Sequence, residues 1–415
     1  MNTSNAALVQ EPLVDHTKPI SLTSKNFHQN KFETYAYLRE HLPVHRASIF
    51  GLKIFVTARY DDCLTVVKDP RFLRNRSTVT GGSRMPFPVP GSIKALAESM
   101  ITSDDPEHRR LRSIVQKAFV PKNLHGMSDV VEDMAHDLLD KLDHGQPINL
   151  QSEYALTIPT AVIAQLMGVK DQEMDELRSS IRVLSEGLSG WNVIRTLAWD
   201  LRKTVNFVRE LIARKRSQPE DDILSALIAA EEEGSRLSEE ELISFTFLLI
   251  VAGFETTVHL ITNGTVALLQ HPDQLQRLIK DPELYGTAVE EILRYAGPIH
   301  GTKMNYASED LEISGVQIPK ASMVMPLLGS ANRDEEVFED AESFNITRDP
   351  NKHLAFSQGN HFCLGAFLAR METKIALKVL FERCPDLHLA VPEGSLTIQR
   401  LPGWHRYDEL PVALK

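Results

Sequence analysis

The feature that most constrains the fold is one long apolar stretch, LSEEELISFTFLLIVAGFETTVHLITNGTVALLQHP, at residues 237–272. Ser238 with Glu241 matches a capping box at a helix start, and Pro272 marks the end. The span between them predicts a helix of about 33 residues, or about 50 Å at 1.5 Å per residue. Because apolar positions run nearly all round its middle, we expect this helix to cross the protein interior.

The rest of the chain predicts a mainly α protein with a minor β region. A short helix is expected over Lys31 to Leu42, followed by a hairpin around Gly51. The chain then reads as mostly helical from Glu107 to Tyr295, with short β-rich pieces from Pro298 to Leu327. With no repeat and no linker in view, we expect one domain over residues 1–415, with a polar arm at 1–30.

The irregular segment at 71–105, rich in glycine and proline, is a candidate lid, because long loops inside compact proteins are often functional.

Charge and cysteine content exclude several classes of protein. The net charge of -11 argues against nucleic acid as a general partner. The N-terminal residues lack the charged and apolar regions of a signal peptide, and no uninterrupted apolar run reaches membrane-spanning length, so a cytoplasmic protein is expected. Three scattered cysteines form neither a disulfide framework nor a CxxC metal site. Cys63 lies on an apolar helical stripe and is expected to be a buried hydrophobe.

The centre of the long helix departs from ordinary helix composition. Gly253 costs roughly 1 kcal/mol against alanine, and Glu255 places a carboxylate among apolar residues. Ala252 and Thr256 share a face, so the small residues could leave a gap for a planar ligand beside a hydroxyl and a carboxylate. Alternatively, Gly253 permits close helix packing and Glu255 pairs with a distant arginine.

The segment FSQGNHFCLGAFLAR, residues 356–370, places Cys363 just before a predicted helix. A helix N-terminus lowers a thiol pKa, so the thiolate could be a nucleophile or a metal ligand. A nucleophile needs a base such as His361, and zinc needs more ligands than are near. Haem iron needs only one protein ligand, and Gly359 and Gly365 would let a flat macrocycle approach the backbone. A buried inert cysteine would not explain the flanking glycines and histidine.

This segment resembles the cysteine-ligand signature of the cytochrome P-450 family, F-G-x-G-x-H-x-C-x-G. AGFETT resembles that family's oxygen-activation motif on its long central helix, and EEILRY carries its E-x-x-R pair as Glu291 and Arg294. DPEHRRLR, ANRD and the closing LAR also follow the order of the soluble bacterial branch. The resemblance covers essentially the whole chain and implies the cytochrome P-450 fold, with the long helix lying over haem b.

The resemblance implies roles for individual residues. Cys363 would be the proximal thiolate ligand of the iron, and Glu255 with Thr256 would be the acid–alcohol pair that supplies protons. Glu291 and Arg294 would form a buried structural network with Arg348. The remaining residues implied to contact haem are Ala252, Gly253, His108, Arg112, His361, Phe356 and Gly365.

The resemblance also implies that 71–105 and 183–200 are the variable lids that shape the substrate pocket. Candidate apolar wall residues within them are Met85, Phe87, Leu188 and Trp191. Ordinary packing is an equally good interpretation of these four.

Two positions depart from the family pattern. Asn305 stands where the family usually has a propionate-binding arginine, and Ser357 replaces a glycine of the cysteine loop. Residues two apart on a strand share a face, so Lys303 could substitute for the missing arginine.

The reaction implied is insertion of one oxygen atom from dioxygen into a small-to-medium apolar substrate. Because nothing in the chain suggests a flavin or nicotinamide site, the two electrons are expected from a ferredoxin-type donor with its reductase. The donor would dock on a basic patch of Arg109, Arg110, Arg112, Lys117 and Lys122. No nucleic acid or membrane is expected as a partner, and a monomer is expected. The alternatives are a haem protein that uses peroxide or rearranges substrate, and a haem sensor without catalysis.

Overall fold

The computed structural model describes residues 14–84, 99–119, 126–186, 201–230 and 236–414. The candidate wall residues Met85, Phe87, Leu188 and Trp191 lie outside them. The α-helices, in chain order, are α1 (Lys25–Gln29), α2 (Lys31–His41), α3 (Tyr60–Lys68), α4 (Arg76–Thr80), α5 (Glu107–Ala118), α6 (Met127–Lys141), α7 (Thr157–Leu166), α8 (Met174–Glu186), α9 (Leu201–Ser217), α10 (Ile223–Ala229), α11 (Glu239–Gln270), α12 (Pro272–Lys280), α13 (Tyr285–Ala296), α14 (Leu328–Ala331) and α15 (Ala366–Arg383).

The strands are short and form three small sheets within the described residues. They are β1 (Ile20–Ser21), β2 (Val44–Ile49), β3 (Leu52–Thr57), β4 (Phe72–Leu73), β5 (Ile148–Asn149), β6 (Asn305–Ala307), β7 (Leu311–Ile313), β8 (Val316–Ile318), β9 (Met323–Pro326), β10 (His388–Leu389) and β11 (Pro411–Ala413). The largest sheet has the order β1-β2-β3-β9-β6-β4, and the others are β10-β11-β5 and β7-β8. A mainly α fold with a minor β region is therefore confirmed.

The predicted hairpin is formed by β2 and β3, which pair in antiparallel register from Val44↔Thr57 to Ile49↔Leu52. Its turn places Phe50 and Gly51 at positive φ, 48° and 84°, as a two-residue hairpin turn requires. The β-rich interpretation of the chain after Pro298 is also confirmed, because β6 to β9 all lie there.

The long helix α11 has the predicted cap and length. The Ser238 hydroxyl accepts from the Glu241 N–H, and the Glu241 carboxylate accepts from the Ser238 N–H. The helix packs against α7, α9, α13 and α15, and its residues join the largest apolar core. By length and hydropathy alone α11 could cross a membrane, but 56% of its most apolar window is buried inside the protein. We therefore interpret it as a core helix.

Candidate active site

The middle of α11 contributes a hydroxyl, a carboxylate and two small residues. The Thr256 hydroxyl donates to the Ala252 carbonyl at 2.9 Å, as expected for residues four apart on one face. Ala252 is exposed, although most residues of α11 are buried in the protein, so Ala252 borders an internal space. A Cβ on Gly253 would lie 2.3 Å from Ile163 Cδ1 in α7, so this glycine permits close helix packing.

Glu255 pairs with a residue from the far end of the chain. The guanidinium of Arg406, 151 positions away, donates to Glu255 Oε1 and lies 5.1 Å from the Trp404 ring. Burial raises the pKa of the Glu255 carboxyl, and the charge and hydrogen bond of Arg406 partly offset this. The expectation of a distant arginine is thus confirmed, and the carboxyl lies where it is both paired and desolvated.

The cysteine segment forms a tight loop before α15. The Cys363 N–H donates to the Phe356 carbonyl at 3.0 Å, and the 3₁₀ turn Gly359–His361 lies between them. Gly359 has φ 70°, and a Cβ there would lie 2.7 Å from the Val67 carbonyl. This glycine therefore makes room for the end of α3. By contrast, a Cβ on Gly365 would meet open space.

The Cys363 thiol lies in an enclosed cavity. It is accessible to solvent, yet burial raises its pKa, and the Gly365 N–H and Arg112 only partly oppose this. A group that is accessible and also desolvated lies in an internal space, not on the outer surface. The predicted lowering of the thiol pKa was wrong. Helix α15 begins only at Ala366, and desolvation by the surrounding protein outweighs the effect of the helix terminus. A coordinating metal ion would deprotonate the thiol outright.

Cationic and imidazole groups collect beside this thiol. The rings of His108 and His361 lie 4.2 Å apart, and the buried His108 Nε2 has no hydrogen-bond partner among the described residues. Burial lowers the pKa of Arg112, while the nearby Cys363 raises it. Burial, together with Arg74, His108 and Arg112, lowers the pKa of His361 to about 3. Because burial and mutual repulsion disfavour the charged forms of these groups, together they are suited to an anionic ligand.

These residues fit an iron porphyrin with two carboxylates. An accessible thiol is present for the metal, and desolvated donors, including the orphaned His108 Nε2, are present for the carboxylates. Lys303 is exposed, although burial and Arg74 lower its pKa, so it faces the same enclosed space.

Comparison with known proteins decides the family. Residues 82–385 match the family model "Cytochrome P450". The chain is 38% identical to the polyketide biosynthesis cytochrome P450 PksS of Bacillus subtilis, over 94% of this chain and 97% of that protein. The chain belongs to the cytochrome P450 family.

Other P450 relatives agree over nearly the whole chain. Identity to the 6-deoxyerythronolide B hydroxylase of Saccharopolyspora erythraea is 37%, over 95% of this chain and 98% of that protein. The solved PksS structure superposes with a TM-score of 0.88 at 36% identity, covering 95% of this chain and 99% of that one. The protein is thus a P450 monooxygenase with the P450 fold, and its cofactor is haem.

The P450 E-x-x-R pair forms the predicted buried network. Arg294 donates to both carboxylate oxygens of Glu291, at 2.7 and 2.8 Å, and both side chains are fully buried. Arg348 donates to the same carboxylate at 3.2 Å. Arg294 also donates to the carbonyls of Asn332, Ala341 and Ser343, so the network connects α13 to the chain that precedes the cysteine loop.

The basic patch is less positive than its sequence suggests. Arg110 pairs with Glu107 at 2.6 Å and with Glu241 of α11, and its side chain is only 28% exposed. Arg109 is 80% exposed and pairs with Asp105 at 2.8 Å. Arg109 is therefore available at the surface, whereas Arg110 is held by ion pairs within the fold. The neutralising carboxylates lie outside residues 108–122, so the segment alone could not reveal them.

Sequence reasoning missed two site residues, Arg406 and Arg74. Arg406 had no local signal, because only the folded chain brings it to Glu255. Arg74 lies in the irregular stretch at 71–105, where residue spacing predicts no face. Its position beside Asn305 follows from strand pairing, as described below.

Proposed function

We propose that Cys363 is the axial ligand of haem in an enzyme that hydroxylates or epoxidises an apolar substrate with dioxygen and two electrons. The carrying observation is the accessible Cys363 thiol inside an enclosed cavity beside Arg112 and the unpartnered His108 Nε2. His108, Arg112 and His361 would bind the propionates. Phe356, beneath the Arg370 guanidinium at 4.5 Å, and Gly365, with open space beside it, would flank the macrocycle.

The test is the absorbance spectrum of dithionite-reduced protein under carbon monoxide. Wild type should show the strongly red-shifted Soret band of thiolate-ligated haem. Cys363→Ser should lose that band, whereas Cys384→Ser, at a buried cysteine in the core, should keep it. A red-shifted band that survives Cys363→Ser would overturn the assignment.

The haem supplies the chemistry of dioxygen activation, and the α11 side chains would supply its protons. Glu255, whose carboxyl is desolvated, would hold the proton, and Thr256 would pass it into the space beside Ala252 and Gly253. This favours dioxygen over peroxide use or substrate rearrangement. In Thr256→Ala, product formed per electron consumed should fall about tenfold or more, while Thr257→Ala should change it little. If Thr256→Ala and Thr257→Ala formed the same amount of product per electron consumed, the hypothesis that the enzyme uses peroxide would be favoured.

The proposed substrate is a polyketide-type compound. Two relatives, PksS and the 6-deoxyerythronolide B hydroxylase, carry names from polyketide metabolism. A related solved P450 is described in complex with a fatty-acyl carrier protein, which makes a long acyl chain the second candidate. Titration with a macrolactone, a long-chain fatty acid and a steroid, followed by the spin-state shift of the Soret band, would rank them. A shift with the fatty acid alone would reject the polyketide assignment.

For electron supply we propose a ferredoxin-type donor with its reductase. We further propose that the enzyme is a single-domain, cytoplasmic monomer. Exposed Arg109 would belong to the docking surface, whereas Arg110 is occupied by structural ion pairs. Arg109→Glu should raise the KM for an acidic [2Fe–2S] ferredoxin, with Arg178→Glu, an exposed charge on α8, as the control. An unchanged KM would remove Arg109 from the docking surface.

A further inference from the structure

Strand β6 lacks the cation that the family pattern would place at position 305. Asn305 is buried, and its amide Nδ2 donates to Thr302 Oγ1, the Lys303 carbonyl and the Val324 carbonyl at 3.3, 3.3 and 3.4 Å. The amide is neutral, and its N–H groups already donate to acceptors within or next to its own sheet. It cannot supply a charge to a carboxylate.

The residue that directly follows β4, the strand paired with β6, is a cation opposite this position. Strands β4 and β6 pair in antiparallel register, with Phe72↔Ala307 and Leu73↔Tyr306. One further step along the same register sets Arg74 opposite Asn305. Directly opposed residues of an antiparallel pair place their side chains on the same face of the sheet.

A shared hydrogen-bond acceptor supports this placement. Arg74 Nη1 donates to the Lys303 carbonyl at 2.5 Å, and Asn305 Nδ2 donates to the same oxygen. The two side chains therefore converge on one point. Arg74 directly follows β4, and its guanidinium lies beside Asn305, the position of the missing arginine.

The Arg74 guanidinium retains unused donors. Its backbone is held by Asp104, whose carboxylate accepts from the N–H groups of Arg74 and Asn75 at 2.6 and 2.9 Å. Among the described residues, the guanidinium makes no hydrogen bond other than that to Lys303 and no ion pair. A guanidinium has five N–H donors, so most of those on this buried side chain have no partner among the described residues and are available to a ligand.

Arg74 and Lys303 have different charged neighbours. Arg74 lies within electrostatic reach of His361, which also senses His108 and Arg112. Both Arg74 and Glu255 act on Lys303, so its ammonium lies between the Arg74 guanidinium and α11. Arg74 thus belongs to the imidazole and guanidinium group beside Cys363, and Lys303 lies at its edge.

We propose that Arg74 has taken over the role of the strand arginine and binds a haem propionate, together with His108, Arg112 and His361. The planar guanidinium suits a carboxylate better than the ammonium of Lys303, because it can bind both oxygens at once. The proposal rests on haem ligation by Cys363. It changes which residue holds the cofactor and leaves the reaction unchanged.

The test compares loss of haem with loss of haem dimethyl ester, in which the propionate charges are absent. Each protein is loaded with one or the other cofactor, and its transfer to excess apomyoglobin is followed by absorbance. In Arg74→Gln, haem should leave about tenfold faster than from wild type, the size expected for a lost charge-assisted hydrogen bond. The ester should leave both proteins at the same rate, and Lys303→Gln should alter haem loss less than twofold.

A second-site variant makes the test specific. Adding Asn305→Arg to Arg74→Gln should restore slow haem loss, because it returns a guanidinium to the same point from the neighbouring strand. Equal acceleration for haem and its ester would show a structural role and overturn the proposal, as would a larger effect of Lys303→Gln. If Arg74→Gln does not fold, Arg74→Lys serves instead, with faster loss of haem but not of the ester expected. Absence of haem from wild type would instead contradict the ligation by Cys363.

Discussion

At the scale of single residues, Glu255 combines a structural role with the role in proton supply that we propose for it. A carboxylate inside a core helix is costly unless it is paired, and Arg406 supplies the pair. Burial still raises the pKa of Glu255 above its ordinary value, so the pair does not fully restore the charged form. The same arrangement keeps the helix folded and leaves an acid able to exchange its proton.

The effect of Arg406 on this acid can be measured. Arg406→Gln removes the positive charge that lowers the pKa of Glu255, so that pKa should rise and the carboxyl should stay protonated to higher pH. The midpoint in the pH dependence of product formation should move upward. Arg400→Gln, at an exposed arginine nearby in the chain, should leave the profile in place. A midpoint that does not move would separate Glu255 from proton supply.

At the scale of elements, α11 is stabilised by its termini as well as by its apolar surface. The reciprocal Ser238 and Glu241 hydrogen bonds satisfy two N–H groups that the first turn leaves free. Glu241 also accepts from Arg110, so the cap of α11 is tied to α5, which carries His108 and Arg112. The start of α11 is therefore joined to the helix that carries the proposed propionate-binding residues.

Removing the cap should cost stability. Ser238→Ala should lower the free energy of unfolding by about 1 kcal/mol, since the Glu241 N–H loses its acceptor. Ser179→Ala, at an exposed position within α8, should change it by less than about 0.5 kcal/mol. Urea denaturation of the haem-loaded proteins measures both. A Ser238→Ala effect no larger than the control would mean that packing alone defines this end of α11.

At the scale of the whole molecule, buried histidines join distant parts of the chain. The rings of His300 and His405 stack at 5.0 Å, and Phe32 of α2 packs on both. Asn263 of α11 donates to the His405 carbonyl at 2.8 Å. Helix α2, helix α11 and the C-terminal segment therefore meet at these two imidazole rings.

The buried histidines predict that acid lowers the stability of the folded protein. Burial lowers the pKa of His28 to about 4 and of His259 to about 3, and it lowers those of His300 and His405 well below 6.5. As pH falls below about 6.5, the unfolded chain binds protons that the folded protein refuses, so stability should decrease down to the folded-state pKa values.

The loss should reach the order of a few kcal/mol by about pH 4. Urea unfolding between pH 7 and pH 4 measures it. His28→Gln should give a shallower pH dependence, whereas His388→Gln, at an exposed histidine, should not. A flat profile in wild type would show that these imidazoles are not held neutral by the fold.

Local sequence was sufficient for the main elements and for the short-range pairs within them. The cap, length and burial of α11, the hairpin at Gly51 and the loop before Cys363 depend on neighbours a few residues away. The Glu291 and Arg294 pair is likewise local, three residues apart on one helix. Such features are readable because backbone conformation and helical facing are set by short-range sterics and hydrogen bonds.

Only the tertiary structure decided which charges meet. It paired Glu255 with Arg406, neutralised Arg110 with Glu241, and set Arg74 opposite Asn305. It also reversed the expected pKa shift of Cys363, because desolvation by residues from several elements outweighs the nearby helix terminus. Electrostatic interaction and burial depend on distance through space, and the order of residues along the chain does not contain that distance until the chain is folded.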